Sequence, residues 1–162
     1  MSTAPRSEEA LREQLIQLLQ SGHAHATFDQ AVKDFPADKI GLRPPGMPYS
    51  AWELLEHMRI AQNDILRFSQ SADYVSPKWP EGYWPGSPAP KRKQQWAESI
   101  RAFREDRAAF EALLRDPAQD LYKRISWGDG QTLLREALLV ADHNAYHLGQ
   151  LIVVRRLLGA WN

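Results

Sequence analysis

The sequence contains no cysteine. This excludes disulfides, cysteine-ligated zinc or iron–sulfur sites and a cysteine nucleophile. Lysine plus arginine number 20 and aspartate plus glutamate also number 20, so the chain lacks the basic surplus that favours nucleic acids or anionic membranes. No stretch approaches the ~18 continuous apolar residues of a membrane span, and the N-terminal segment lacks the basic and then apolar pattern of a signal peptide. We therefore expect a soluble, cytoplasmic protein without nucleic-acid or membrane partners.

The distribution of proline indicates an all-α fold. The chain has 162 residues and eleven prolines, and a chain of this length is expected to form a single domain, residues 1–162. Proline breaks helix interiors, and the long stretches between prolines carry apolar residues at spacings of three and four. Ser50 with Glu53 forms a capping-box pattern, and Thr132 is a favourable N-cap. The pattern predicts a four-helix bundle with helices at approximately 8–34, 50–71, 91–115 and 132–159.

Two long connections, rich in proline and in aromatic residues, join the first three predicted helices. They span residues 35–49 and 72–90. Long loops without regular structure are uncommon in small domains and are often functional. The second loop carries Tyr74, Trp79, Tyr83 and Trp84. These rings either hold the loop on the surface of the bundle or form the wall of a pocket.

The fourth predicted helix carries a pair of histidines with metal-ligand spacing. His143 and His147 are four residues apart, which places both imidazoles on the same helix face, one turn apart. That face also contains Val140 and Val154, so it is expected to point inward. Buried imidazoles without partners are costly, and a shared metal ion would satisfy both. The glutamate of the zincin motif His-Glu-x-x-His is replaced here by Asn144.

His57 on the second predicted helix is the candidate third ligand. It follows Leu54 by three residues and precedes Ala61 by four, so it borders the apolar stripe of its helix. Considered alone, it is also consistent with a half-buried histidine that is bonded to a carbonyl or to Asp64. Considered together with the histidine pair on the fourth helix, it favours a three-imidazole site with an open position, as in catalytic zinc centres.

His25 lies on the apolar line of the first predicted helix, with Asp29 one turn later. It is compatible with a core histidine held by Asp29, with a group that orients a metal ligand from behind, or with an acid–base group in a pocket. His23 falls off the apolar line and is expected to be solvated.

The carboxylates and the tyrosine near the histidines suggest further pocket groups. One of them is expected to orient a ligand imidazole, as metal-bound histidines usually require. The sequence does not select a general base among them; the candidates are Asp64, Glu136, Asp142 and Tyr146.

Two segments of the chain resemble one known family. Leu54-Leu55-Glu56-His57, followed far downstream by Ala-Asp-His-Asn-Ala-Tyr-His-Leu-Gly-Gln at 141–150, is similar to the DinB / YfiT superfamily, and the resemblance extends over residues 8–160. It implies a four-helix bundle that holds a metal through His57, His143 and His147. Some members are metal-dependent thiol transferases or isomerases that use thiols such as bacillithiol or mycothiol, which implies a small thiol partner here.

These observations leave three functional hypotheses open. The first is a metal-dependent transferase or hydrolase that uses a small thiol cosubstrate, with one divalent ion, zinc or nickel, bound to the three imidazoles. The second is a non-catalytic module that stores or senses a metal or acts in a stress response, and the third is a bundle with purely structural histidines. Apolar residues outside the narrow stripes also predict a homodimer; they are Leu113, Leu138, Ile152 and Trp161.

Overall fold

Five α-helices, four of them long, build the part of the chain that the computed structural model describes, residues 4–20 and 24–161, which contains no β-strand. They are α1 (Ala4–Gln20), α2 (Phe28–Val32), α3 (Ala51–Gln70), α4 (Gln95–Arg115) and α5 (Leu133–Leu157). Both α4 and α5 pack against α1 and α3. The predicted all-α bundle is therefore confirmed. None of the described helices combines the length and the apolar character needed to cross a membrane.

The helix predicted over 8–34 is wrong as a single element, because it is divided into α1 and the short α2. Thr27 begins a new helix with a capping box. Its hydroxyl accepts a hydrogen bond from the backbone N–H of Gln30 at 3.1 Å, and the side chain of Gln30 accepts one from the backbone N–H of Thr27 at 2.8 Å. This reciprocal capping competes with continuation of a helix through the segment. The pattern Thr-x-x-Gln at residues 27–30 is visible in the sequence and indicates a helix start, whereas the longer apolar periodicity indicates one continuous helix.

Local capping also defines the starts of the two helices that carry the histidines. The predicted box at Ser50 forms, since its hydroxyl accepts the backbone N–H of Glu53 at 3.2 Å and the carboxylate of Glu53 accepts the backbone N–H of Ser50 at 2.8 Å. Thr132 caps α5 through the backbone N–H of Arg135. The resulting helices, 51–70 and 133–157, correspond to the predicted 50–71 and 132–159.

Two apolar clusters fill the bundle. Along α5, Ala137, Val140 and Ala141 belong to one cluster, and Leu148, Leu151, Ile152 and Val154 belong to the other. The interval between these two groups of residues contains both histidines of α5. The site therefore lies where the two halves of the core meet.

The residues that were expected to form an association surface are mostly packed within the bundle. Ile152 is buried, and Leu113 and Trp161 are partly buried against the core. Leu138 is exposed. The expected patch is therefore not a continuous surface, because Leu138 is the one exposed residue of its four.

Candidate metal centre

The imidazoles of His57, His143 and His147 form one compact cluster. Their candidate ligand atoms all lie within 4.8 Å of one another, and Nε2 of His57 is 3.0 Å from Nε2 of His143. His57 and His147 are buried, whereas His143 is partly exposed. Helical spacing brings the two histidines of α5 together, and the packing of α3 on α5 adds His57.

Hydrogen bonds at Nδ1 orient two of the three rings. Nδ1–H of His57 donates to the backbone carbonyl of Tyr83 at 2.8 Å, and Nδ1–H of His147 donates to Oε1 of Gln150 at 2.7 Å. Both acceptors place the ring proton on Nδ1, because a carbonyl or amide oxygen has no proton to give. The lone pair of each of these two imidazoles is therefore on Nε2, the atom through which a metal would be bound.

The donor set fits a divalent transition-metal ion. Two imidazole nitrogens that bind the same ion at about 2.0–2.1 Å in a tetrahedral arrangement lie about 3.3 Å apart, close to the 3.0 Å between Nε2 of His57 and Nε2 of His143. Imidazole is a suitable ligand for zinc and for nickel. Metal binding is therefore compatible with the cluster, and its three donors are the predicted residues.

The surroundings keep all three imidazoles neutral near pH 7. Burial, together with the nearby His147 and His57, lowers the pKa of His143 to about 4. Burial also lowers the pKa of His57 and that of His147. Because metal ions bind the deprotonated imidazole, this electrostatic environment favours the ligand form of each ring.

Residues of the loop 72–90 lie directly on the site. The indole of Trp84 stacks on the His57 ring, with centroids 3.9 Å apart and planes 2° apart. It also stacks on Tyr49 at 4.2 Å and meets the His147 ring edge-on at 6.2 Å. The carbonyl of Tyr83 binds His57 from the same loop. Tyr83 and Trp84 therefore border the histidine cluster, and the pocket wall stays a prediction. Trp79 of the same loop is exposed.

Asp64 and Glu136, two of the predicted acidic groups, make no hydrogen bond to the described imidazoles. Oδ2 of Asp64 accepts the hydroxyl of Tyr83 at 2.6 Å, so it reaches His57 only through that tyrosine. Glu136 is 2% exposed and pairs with Arg135 at 2.7 Å. Burial raises the pKa of Glu136, and the nearby Asp64 raises it further. The geometry therefore assigns Asp64 to support of the loop and assigns neither carboxylate to proton transfer at the histidines.

Tyr146 is exposed and approaches the edge of the His147 ring with a centroid distance of 4.9 Å. It lies next to the site on the outer side of α5 and makes no hydrogen bond to a ligand histidine within the described chain. Asp142 is exposed as well.

The core interpretation of His25 is wrong. His25 is exposed in the bend that precedes α2, and its Nδ1 pairs with the carbonyl of Ala26 at 2.9 Å. Asp29 instead forms an ion pair with Arg104 at 2.6 Å. The break between α1 and α2 removes the helical register that would have turned His25 inward. His23 lies outside the described residues.

Gln150 orients His147 and was not among the predicted site residues. It follows His147 by three residues, a spacing at which helix side chains meet, so the local sequence contained the signal. The carbonyl of Tyr83 had no comparable signal, because any residue offers a carbonyl and only the path of the loop selects this one.

Comparisons with known proteins agree with this arrangement. The model of the family described as the DinB superfamily matches residues 20–151, a segment that contains all three clustered histidines. No curated protein and no solved structure matched the chain.

Proposed function

The chain belongs to the DinB superfamily, and we propose that it is a metal-dependent transferase or hydrolase that acts with a small thiol cosubstrate. One divalent ion, zinc or nickel, would be held by His57, His143 and His147. The convergence of three neutral imidazoles, with 3.0 Å between Nε2 of His57 and Nε2 of His143, carries this proposal.

The number of protein donors favours a catalytic site. Three titratable donors meet within the described part of the chain, and catalytic zinc sites use three protein ligands whereas structural sites use four. The partial exposure of His143 gives a small molecule access to the cluster. A thiol or water would occupy the remaining position.

The nucleophile would come from outside the protein, since the chain has no cysteine. A bound divalent ion supplies Lewis acidity, which lowers the pKa of a coordinated thiol or water. The residues of the chain hold this site in place: Tyr83 and Gln150 orient two imidazoles, and Trp84 covers one face of His57. A cytoplasmic location is part of the proposal, because small thiols are kept reduced there.

A second candidate is a non-catalytic metal-binding module. It is supported by the hydrogen bonds of Asp64 and Glu136, which engage Tyr83 and Arg135 rather than the cluster. A module that stores or senses a metal needs the three imidazoles and no general base. The two candidates share the metal site, and they differ in whether the protein converts a substrate at that site.

Elemental analysis of purified variants tests the shared part of both candidates. We expect about one metal ion per wild-type chain and a sharp loss of metal in His57→Ala, His143→Ala and His147→Ala. His25→Ala is the matched control, because it removes an exposed histidine that is outside the cluster. Full occupancy after loss of His57 would contradict the three-histidine site.

A thiol-transfer assay then separates the two candidates. N-acetylcysteine and 1-chloro-2,4-dinitrobenzene are suitable probes: a carbon–sulfur bond forms, the carbon–chlorine bond breaks, chloride leaves and the thiol proton passes to solvent. Hydrolysis of 4-nitrophenyl acetate tests the water reaction. Rate enhancement by metal-loaded wild type that disappears with chelator supports the enzyme. Metal-loaded protein without enhancement over a panel of thiols and electrophiles supports the module.

A further inference from the structure

A cavity of about 860 Å³ lies at the C-terminal end of α5, where this helix meets α2 and the residues after it. Its lining includes Lys33, Asp34, Pro36, Arg155 and Trp161. Arg155 follows His147 by eight residues, which corresponds to about 12 Å along the helix axis. The three clustered histidines do not line this cavity.

Arg155 is a buried cation whose position is set by the backbone. The residue is 8% exposed. Its Nε donates to the carbonyl of Ala160 at 2.6 Å, and its Nη1 donates to the carbonyls of Gln30 at 3.2 Å and Ala31 at 2.7 Å. The guanidinium also lies over the rings of Phe35, at 5.2 Å, and Trp161, at 5.4 Å. The guanidinium is therefore held in one orientation before any ligand arrives.

One end of this guanidinium is left without an acceptor. Nη2 makes no hydrogen bond within residues 4–20 and 24–161, and no carboxylate there forms an ion pair with Arg155. Asp34 is near enough to raise the pKa of Arg155, but burial has the larger effect and lowers it. Nη2 keeps some solvent exposure, so a ligand in the cavity can reach it. An oxyanion in the cavity would accept hydrogen bonds from both N–H groups of Nη2.

The charges and the apolar surface of the lining define the class of ligand. Lys33 adds a second positive charge and Asp34 a negative one, so the lining residues other than His25 have a net charge of one positive unit. This balance favours a monoanion over a phosphate dianion. Pro36 and the indole of Trp161 offer apolar surface for the remainder of the molecule.

We propose that this cavity binds a small organic carboxylate, with its carboxylate on Nη2 of Arg155 and its apolar part against Pro36 and Trp161. Lys33 contributes charge at the edge of the site. The proposal is independent of metal binding, since it uses no residue of the histidine cluster.

Nuclear magnetic resonance of the arginine side chains tests the proposal on the full wild-type chain. Benzoate is the probe, and benzamide is its neutral match in shape. We expect benzoate to shift the Arg155 guanidinium and Trp161 indole signals saturably, whereas benzamide and inorganic phosphate leave them nearly unchanged. Equal shifts with benzoate and benzamide, or shifts that do not saturate, would overturn the proposal.

Variants provide a second readout. Arg155→Lys keeps the charge and removes the fixed fork of donors, so benzoate affinity should fall about tenfold or more. Arg124→Lys, the same change at an exposed arginine, should leave it unchanged. If Arg155→Lys does not fold, the wild-type titration still decides. Retained affinity in a folded Arg155→Lys protein would contradict the assigned role.

Discussion

The backbone carbonyl of Tyr83 accepts the Nδ1 proton of His57 at 2.8 Å, so a residue of the loop 72–90 determines which nitrogen of a candidate metal ligand is free. The hydroxyl of the same tyrosine donates to Asp64 at 2.6 Å. Because Asp64 follows His57 by about two turns on α3, Tyr83 is held to that helix at two points. The loop and the imidazole are thereby positioned together.

Tyr83→Phe tests this link. The substitution keeps the ring and the backbone carbonyl but removes the bond to Asp64, whose other oxygen, Oδ1, is buried without a hydrogen-bond partner among the residues that the structure describes. We expect a loss of about 1–3 kcal/mol in the free energy of unfolding and about tenfold weaker metal binding. Denaturant unfolding and metal titration measure the two effects.

Tyr122→Phe is the control for that substitution, because Tyr122 is exposed. It should change neither quantity. Metal affinity that stays at the wild-type level in Tyr83→Phe would show that the carbonyl keeps its place without the hydroxyl anchor.

Gln150 is predicted to control metal affinity without binding the metal. Its Oε1 accepts the Nδ1 proton of His147 at 2.7 Å, and loss of such partners typically weakens metal binding about 10–100-fold. We expect the loss of metal affinity in Gln150→Ala to fall within that range. Gln150→Glu should retain tight metal binding, since a carboxylate accepts the same proton. Competition with a chromophoric chelator measures the affinities. Equal affinity in Gln150→Ala and wild type would contradict this role.

The stability of the metal-free protein is predicted to depend on pH through His143. Its pKa is about 4 in the folded protein, whereas a histidine in the unfolded chain has a pKa of about 6.5. Between these values the unfolded state binds more protons, so the free energy of unfolding decreases as the pH falls from about 6.5 to about 4. Urea unfolding in the presence of chelator measures this slope.

His143→Gln removes this titrating group, so the free energy of unfolding should decrease less steeply as the pH falls. His25→Ala, at an exposed position, should keep the wild-type pH dependence. An unchanged slope in His143→Gln would assign the pH dependence to other groups.

The homodimer remains a prediction, now placed on the outward face of α5. Gly149 lies at the middle of this face, and Asp142 and Arg156 are each seven residues, about two turns, from it. Two antiparallel copies that cross at Gly149 would bring Asp142 close to Arg156 of the second copy. The large apolar residues exposed on α5 are Leu138, Tyr146, Val153 and Leu157.

Charge reversal tests this arrangement. Asp142→Arg should weaken association, and the double variant Asp142→Arg with Arg156→Asp should restore it, because the pair is re-formed with opposite signs. Sedimentation over a range of concentrations measures the mass. A wild-type monomer at micromolar concentration, or a double variant no better than the single one, would contradict this interface.

The local sequence determined the helices of the bundle and the pairing of His143 with His147. Apolar periodicity and the caps at Ser50 and Thr132 act over a few residues, so they can be read without knowledge of the fold. The capping box at Thr27 is equally local. Because it begins a new helix, the prediction of one helix over 8–34 is wrong, and so is the inward placement of His25.

Tertiary structure decided how the site was completed. The packing of α3 on α5 brings His57 to the histidine pair. Helical periodicity placed His57 at the border of an apolar stripe, and the resemblance to a known family pointed to the same residue. The contacts of Tyr83 and Trp84 with His57 depend on the course of a loop without helical periodicity. They join residues 26 and 27 positions apart in the chain, and such distant contacts are set by packing and not by local conformational preference.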